Sequence, residues 1–555
     1  MKKRLLKILA VGISAVMGIG ICLSFAGCGD SDITAENAGD LAEFTFDTEA
    51  DPPATKGIVY VEGTWEEMGL QYGQQAKDAV QRGVASGLSS AISQCGSYDK
   101  AAEKLDQYTD IIEERTPELL DLWKGMAEGA EIEYEHLLIS EINYNPADNY
   151  CSTVSVWGDK AKDSSLIAGV NSDGGQANST YTPAVAAFPD EGNAFISYNG
   201  FITNAIMNEK GLVVMGSQGQ EGMKEDYACG LPPCTGVFYT AWKCDTAAEA
   251  KDMYIKEKLG PGSGENFHAS DTSGDAFVVE HTACIDKVRT DEDFGSGDYT
   301  IATNGFLIDE MWEHLFTGEE FWDDDMPRYW TEEKIIQDAG GEATIDTINN
   351  AIGCTSYYIN PEWITEVWEK GSCIGYMEME NGVWEEDVWD LENYTGFWTP
   401  ENREPGTKCV QRTVMDPGNK NMYVMNGCRD TNISVLPEGT GNFWRLTFGK
   451  NFKSITQEAK QYAQIQLYIG ERDVDAAMDA GTDTDERAGY IKTAKSALLH
   501  GNSYYDLAGC TSDRNEQLTY MAKAATEYGK AQCYAQKAQN DPSKLIREGE
   551  GYEVY

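Results

Sequence analysis

Apolar and polar positions divide the chain into three stretches with different periods. From residue 57 to about 145 the apolar spacing is mostly helical, apart from the strand-like run Ile58-Val59-Tyr60-Val61. Thr64 and Glu67 have capping-box spacing at the head of a helical pattern that runs to about Cys95. Further helical stretches cover Asp99 to Thr116 and Pro117 to Glu131. At Cys151 the period changes to two. Ser152 to Trp157 and Ser164 to Val170 alternate with β-branched residues around the polar stretch Asp159 to Asp163, which predicts a β-hairpin. More strands are predicted at Ala194 to Tyr198, Leu212 to Gly216, Ala276 to Glu280, Tyr299 to Thr303 and Asn421 to Met425. Helical spacing returns at Thr246 to Lys258 and Trp330 to Ala339.

The third stretch begins near Ser454. It is rich in Ala, Gln, Lys and Glu at helical spacing and predicts a hairpin or three-helix appendage over 454–555. Strands and helices come in runs rather than strict alternation, so the class is α+β with antiparallel sheets rather than a doubly wound parallel sheet. Residues 308–405 are Trp-rich, acidic and weakly periodic, and read as an insertion or lid.

The ends of the chain carry a different kind of information. Met1 to Lys7 is basic, Ile8 to Phe25 is apolar, and Leu23-Ser24-Phe25-Ala26-Gly27-Cys28 places small residues before a cysteine. That order resembles a bacterial lipoprotein signal over 1–27 with Cys28 as the lipidated residue. An uncleaved membrane anchor is the alternative, since the run is about long enough to span. Both place the folded part outside the cytoplasm and tethered to a membrane. Residues 28–56 are polar and acidic, include Pro52-Pro53, and read as a disordered tether.

Charge narrows the partners. The chain holds 92 acidic against 43 basic residues, a net charge of −49, which argues against electrostatic binding of nucleic acid and is best read as a solubility feature. Of its 14 cysteines, Cys229 with Cys234, or Cys409 with Cys428, are close enough in sequence to be disulfide candidates. No CxxC pair occurs and the five histidines are scattered, so no metal site is expected. The acidic runs at Asp323 to Asp325 and Asp479 to Glu486 do not follow a calcium-loop pattern.

A cysteine attacks amides well only when a nearby group takes its proton, and no histidine here has a signature marking it as that partner. The alternative base is the cysteine's own α-amine, which titrates near neutrality but is released only by a backbone cut before the residue. Such a nucleophile should begin a strand. Cys151 does, after a helical region and the loop Asn143 to Tyr150.

Four segments then occur in order: Cys151-Ser152-Thr153, Gly169-Val170-Asn171-Ser172-Asp173, Met207-Asn208-Glu209-Lys210-Gly211-Leu212 and Ala302-Thr303-Asn304. Asp271 to Glu280 and Arg412 to Pro417 add supporting stretches. Over 57–450 this order resembles the penicillin acyltransferase-like N-terminal-nucleophile cysteine hydrolases and their choloylglycine hydrolase relatives. The resemblance implies a four-layer αββα sandwich, with 57–150 as a small chain, 151–453 as the catalytic core and 454–555 as the helical appendage. It implies cleavage between Tyr150 and Cys151, with Cys151 as nucleophile and, through its amine, as base. Asp173 would hold that amine, and Asn304 would donate its side-chain amide to the oxyanion together with a backbone donor near Gln218. Gly211 fits a tight turn between strands. Val170, Tyr150, Gln218 and Gly305 depart from residues usual in those relatives. The implied activity, hydrolysis of a small-molecule N-acyl amide through a thioester, needs no cofactor. Acyl transfer to an amine, or an inactive lipid-anchored binding protein, are the alternatives.

Overall fold

The computed structural model describes residues 57–142, 150–174, 182–219, 230–293, 297–312, 325–353, 357–358, 377–380, 383–386, 397–398, 408–425, 443–482 and 484–541. The proposed leader, the lipidation site Cys28 and the tether lie outside the described residues.

The N-terminal segment opens with strand β1(Ile58–Gly63) and continues through six helices: α1(Trp65–Gln75), α2(Lys77–Cys95), α3(Tyr98–Glu103), α4(Leu105–Arg115), α5(Glu118–Ala130) and α6(Tyr134–Ile142). The capping box at Thr64 and Glu67 is formed, satisfying amide groups that the first turn of α1 would otherwise leave open. The single helix expected from Thr64 to Cys95 is broken at Ala76, whose φ of −111° and ψ of 26° leave the helical region. Helices α1 and α5 pack so closely that a Cβ at Gly69, Gly73, Gly125 or Gly129 would meet backbone of the facing helix within 2.4 Å. These four glycines set the contact.

Two sheets follow. The larger runs β1-β4-β5-β6-β7-β8-β9-β10, comprising β4(Ala184–Pro189), β5(Phe195–Ser197), β6(Ala205–Asn208), β7(Leu212–Gln218), β8(Glu265–Asp271), β9(Ala276–Thr282) and β10(Ile285–Arg289). Among the described residues its only parallel pair is β1 with β4. The smaller runs β11-β2-β3-β16-β17-β18, with β2(Tyr150–Val156), β3(Ile167–Gly174), β11(Tyr299–Ala302), β16(Lys408–Asp416), β17(Asn421–Met425) and β18(Phe443–Thr447). Strands β12(Tyr357–Tyr358) and β15(Phe397–Trp398), and β13(Met377–Glu380) and β14(Val383–Glu386), form two minor ladders.

Side-chain alternation shows how the sheets stack. Ile58, Tyr60, Ala186, Met207 and Met215 of the larger sheet pack against Val170, Met415, Met422, Trp444 and Leu446 of the smaller one. The opposite face of the larger sheet, with Val59, Val61, Val214 and Phe267, is covered by α1, α2 and α4 to α6 and by α7(Thr235–Lys243) and α8(Ala247–Lys256). The opposite face of the smaller sheet, with Val154, Ile301 and Val414, is covered by α10(Asp325–Asp338) and α11(Ile345–Ile352). The fold is therefore a four-layer αββα sandwich of class α+β. One boundary needs correcting. Tyr329, Trp330, Ile336, Ile345 and Ile348 are buried in that fourth layer, so α10 and α11, with the short α9(Asp309–Trp312), are part of the core rather than an insertion over 308–405.

The C-terminal appendage is three long helices, α12(Phe452–Asp479), α13(Asp485–Cys510) and α14(Arg514–Lys537). It closes one side of the sandwich by covering an edge strand of each sheet. Thr526 Oγ1 of α14 accepts the Ile58 N–H of β1 at 3.1 Å, and Gln532 Oε1 accepts the Arg445 N–H of β18 at 2.8 Å. Outward backbone groups on the edge strands are thus paired instead of left open to another chain.

Candidate active site

Strand β2 places Cys151 at one end of the smaller sheet, with its side chain facing the larger sheet. Thr153 and Ser155, two and four residues on, share that face: Thr153 Oγ1 lies 3.0 Å from His268 Nδ1, and Ser155 Oγ lies 2.9 Å from Ser270 Oγ. Cys151 is 4 % exposed. Its register partner on β3 is Ser172, whose Oγ lies 3.1 Å from Cys151 Sγ. Asn204, just before β6 on the larger sheet, places its Nδ2 3.4 Å from the same hydroxyl oxygen.

The backbone nitrogen of Cys151 is held separately. It donates to Asn304 Oδ1 at 2.8 Å, and Asn304 Nδ2 donates to the Gln218 carbonyl at 2.7 Å. Asn304 follows β11, the neighbour of β2, and the loop after it is fixed by a buried ion pair. Glu280 accepts the N–H groups of Leu307 at 2.9 Å and Ile308 at 3.0 Å, while Arg289 Nε donates to the same carboxylate at 2.8 Å. Burial pushes the Glu280 carboxyl up, and the Arg289 guanidinium and the two amide donors oppose that rise.

Two arginines approach from the outer face of the smaller sheet. Arg328 of α10 donates through Nη1 to the Cys151 carbonyl at 2.5 Å and through Nη2 to Asn304 Oδ1 at 2.8 Å. Asn304 Oδ1 therefore receives both the Cys151 N–H and a guanidinium N–H, which fixes the amide so that its nitrogen faces the Gln218 side. Arg412 of β16 opposes Asn171 in register and donates to its Oδ1 at 3.3 Å. Gly353 admits this side chain, since a Cβ there would meet Arg412 Nη1 at 2.3 Å.

The residues singled out from sequence are thus brought together unevenly. Cys151, Asn304 and Gln218 form a continuous hydrogen-bonded chain. At Gln218 the observed partner of Asn304 is a carbonyl acceptor, whereas a backbone donor was expected, and the neighbouring Gly219 N–H is taken by Gly264 O at 2.8 Å. The Gln218 amide oxygen is buried and makes no hydrogen bond among the described residues. Backbone register sets Asp173 opposite Tyr150, directly beside the Tyr150–Cys151 bond; the side chains of both lie outside the described residues. Cys229, the candidate disulfide partner of Cys234, lies outside the described residues. Cys234 is a free thiol at the head of α7, and its N–H donates to buried Glu265 at 3.1 Å. Cys428 lies outside the described residues.

Sequence reasoning missed Ser172, Asn204, Arg328 and His268. Ser172 lies within Gly169-Val170-Asn171-Ser172-Asp173, and strand alternation with the pairing to Cys151 is the signal that singles it out beside Asp173. Arg328 lay in the stretch read as a lid. His268 has both ring nitrogens on hydroxyls, Thr153 Oγ1 at 3.0 Å and Thr300 Oγ1 at 2.8 Å, and burial lowers its pKa to about 3, so it is a neutral strut between the sheets rather than a base for Cys151.

No family model matches the chain, and no curated protein matches it. Solved structures do. It is similar to a mutant of a conjugated bile acid hydrolase from Clostridium perfringens, with 11% identity and a TM-score of 0.27 over 54% of this chain and 98% of that one. It is also similar to a Caenorhabditis elegans ortholog of N-acylethanolamine-hydrolyzing acid amidase, with 14% identity, a TM-score of 0.27, and 48% and 93% of the two chains covered. A third is penicillin V acylase from Agrobacterium tumefaciens, with 15% identity, a TM-score of 0.21, and 54% and 92% covered. The fold described above rests on this chain's own sheets and layers.

Proposed function

We propose that this protein is an N-terminal-nucleophile amidohydrolase that frees Cys151 by cleavage of the Tyr150–Cys151 bond and then hydrolyses a small N-acyl amide. The observation that carries the reading is the presentation of Cys151: one residue at a strand end offers both its sulfur and its backbone nitrogen to ordered polar groups, Ser172 at 3.1 Å and Asn304 at 2.8 Å. A buried structural cysteine needs neither.

In the uncut chain that nitrogen is an amide. Attack of Sγ on the Tyr150 carbonyl would break the C–N bond and form a thioester, the thiol proton passing to the released α-amine, still oriented by Asn304 Oδ1; water would then hydrolyse the thioester to the Tyr150 carboxylate and the free Cys151 thiol. In turnover the amine takes the thiol proton, the sulfur adds to the substrate carbonyl, and the α-ammonium protonates the departing amine. Asn304 Nδ2 carries two hydrogens, one of which goes to Gln218; the oxyanion would take the other. Asp173, beside the cleaved bond in register, would hold the ammonium. Arg328 would fix the Asn304 amide and, as a cation near the α-amine, favour its neutral, basic form. Lipidation at Cys28 would hold the enzyme on the outer face of a bacterial membrane. The reaction on this reading needs no cofactor, and water is the acyl acceptor.

Residues 29–555 are expressed as wild type and as Cys151→Ala, and intact masses are measured under denaturing conditions. Two fragments meeting at Tyr150 and Cys151 in the wild type alone are expected, with acyl-amide hydrolysis in that sample only. A single uncut chain from both, inert to a panel of acyl amides and to thiol reagents, would leave an inactive binding protein. Faster acyl release on adding an amine acceptor would point to transfer instead of hydrolysis.

A further inference from the structure

We propose that Ser172 is a further catalytic residue: its hydroxyl, oriented by Asn204, donates a hydrogen bond to the Cys151 sulfur and stabilises it as the thiolate. The inference rests on the assignment of Cys151 as nucleophile. Cross-strand pairing already sets Ser172 opposite Cys151, so nearness by itself means little. What pairing does not supply is the third group. Asn204 belongs to the other sheet, yet its Nδ2 lies 3.4 Å from Ser172 Oγ, which in turn lies 3.1 Å from Cys151 Sγ. An amide N–H can only donate, so it occupies a lone pair of Ser172 Oγ and leaves the hydroxyl hydrogen to point at sulfur.

The charge state of the sulfur then decides how strong the contact is. With a neutral thiol either partner can donate. With a thiolate only Ser172 can, and a hydrogen bond to a charged acceptor is about twice as strong as a neutral one. Cys151 and Ser172 are 4 % and 8 % exposed, so water contributes little to solvating the thiolate and burial opposes its formation. A hydroxyl aimed at the sulfur offsets that cost and does so only in the reactive form, which is the condition for lowering a barrier.

The proton inventory is simple. The thiol proton passes to the freed α-amine and Ser172 keeps its own. As the S–C bond forms and the carbonyl π pair moves to oxygen, the sulfur loses its charge and the Ser172 bond weakens. When the C–N bond breaks, the leaving amine takes the proton from the α-ammonium.

The test measures iodoacetamide alkylation of Cys151 in the full-length folded protein as a function of pH, read by mass spectrometry of the Cys151 peptide. Ser172→Ala, Ser172→Thr and Asn204→Ala are compared with wild type, and circular dichroism checks folding. Ser172→Ala should move the profile to higher pH and slow alkylation about tenfold at neutral pH, the loss of one hydrogen bond to a charged group. Turnover of an acyl amide should fall by a similar factor in kcat with KM unchanged. Ser172→Thr, which keeps a hydroxyl, should restore most of both, and Asn204→Ala should fall between. A Ser172→Ala profile superimposed on wild type would overturn the proposal, as would an unchanged Asn204→Ala profile should Ser172→Ala fail to fold. Turnover that survives in Cys151→Ala would instead sink the nucleophile assignment, a separate outcome because the alkylation profiles require no substrate.

Discussion

The space between the two sheets has two halves built on opposite principles. Under β1 and β4 to β7 it is filled by Tyr60, Ala186, Met215, Met415, Met422 and Trp444, and α14 seals it with Leu518, Met521 and Ala525. Under β8 and beside β11 the same gap is crossed by hydrogen bonds. His268 bridges Thr153 and Thr300, Ser155 meets Ser270, and Thr303 O receives both Ser217 Oγ at 2.5 Å and Asn266 Nδ2 at 3.0 Å. The apolar half holds the sheets together without directional preference. The polar half gains less from burial but fixes the register of β2 and β11 across the gap, and those strands carry Cys151 and Asn304. Directional bonds are located where atoms must be placed to fractions of an ångström, and apolar contact where only closeness is needed.

Three substitutions test that division. The largest effect should come from the apolar half. Trp444 is fully buried, and Trp444→Ala should lower stability by about 3–5 kcal/mol, measured by urea unfolding, while the specific activity of the folded fraction stays near wild type. Equal losses of stability and activity would mean that the halves are not separable.

Asn304→Ala should show the reverse pattern. It should lower kcat roughly 100-fold to 1000-fold, about 3–4 kcal/mol, with a smaller change in unfolding midpoint. Retained activity would move the oxyanion site elsewhere.

The smallest effect, taken per pH unit, is a pH dependence. Burial lowers the folded-state pKa of His268 from 6.5 to about 3. Between those values the unfolded chain binds a proton that the folded protein does not, so stability is full above about pH 6.5 and falls as the pH drops towards 3, by at most about 1.4 kcal/mol per pH unit. His268→Asn should flatten that acid slope in urea unfolding curves. An unchanged slope would assign it to carboxylates instead.

How far the site was legible varied with how local its logic is. The Cys151 strand was plain from the alternation of Ser152 to Trp157, and the structure begins β2 one residue earlier, at Tyr150. Helix α14 was legible from its Ala-rich spacing. Strand β8, Glu-Asn-Phe-His-Ala-Ser-Asp, went unrecognised because both its faces are buried and half its side chains belong to the polar inter-sheet network. Without a solvated face there is no alternation to read. Helix α10 was legible over Trp330 to Ala339, but its place in the core, and helix α11 altogether, were obscured for a related reason: their buried aromatic and aliphatic residues are interspersed with Arg328, Glu332 and Asn349, polar residues that are themselves buried.

By itself the sequence determined the local terms: where the period turns from helix to strand, which cap starts α1, that a strand starts within a residue of Cys151, and that the chain is strongly acidic. These follow from nearest-neighbour geometry and composition, which a chain carries with it before folding. Only the tertiary structure decided that Ser172 and Asn204 meet at the Cys151 sulfur, that Arg328 reaches Asn304, and that the C-terminal helices cover an edge of each sheet. Each of those contacts joins segments remote along the chain or on different sheets. The order of residues along a chain places no constraint on which distant side chains share a few ångströms of buried space; the packing of the layers does.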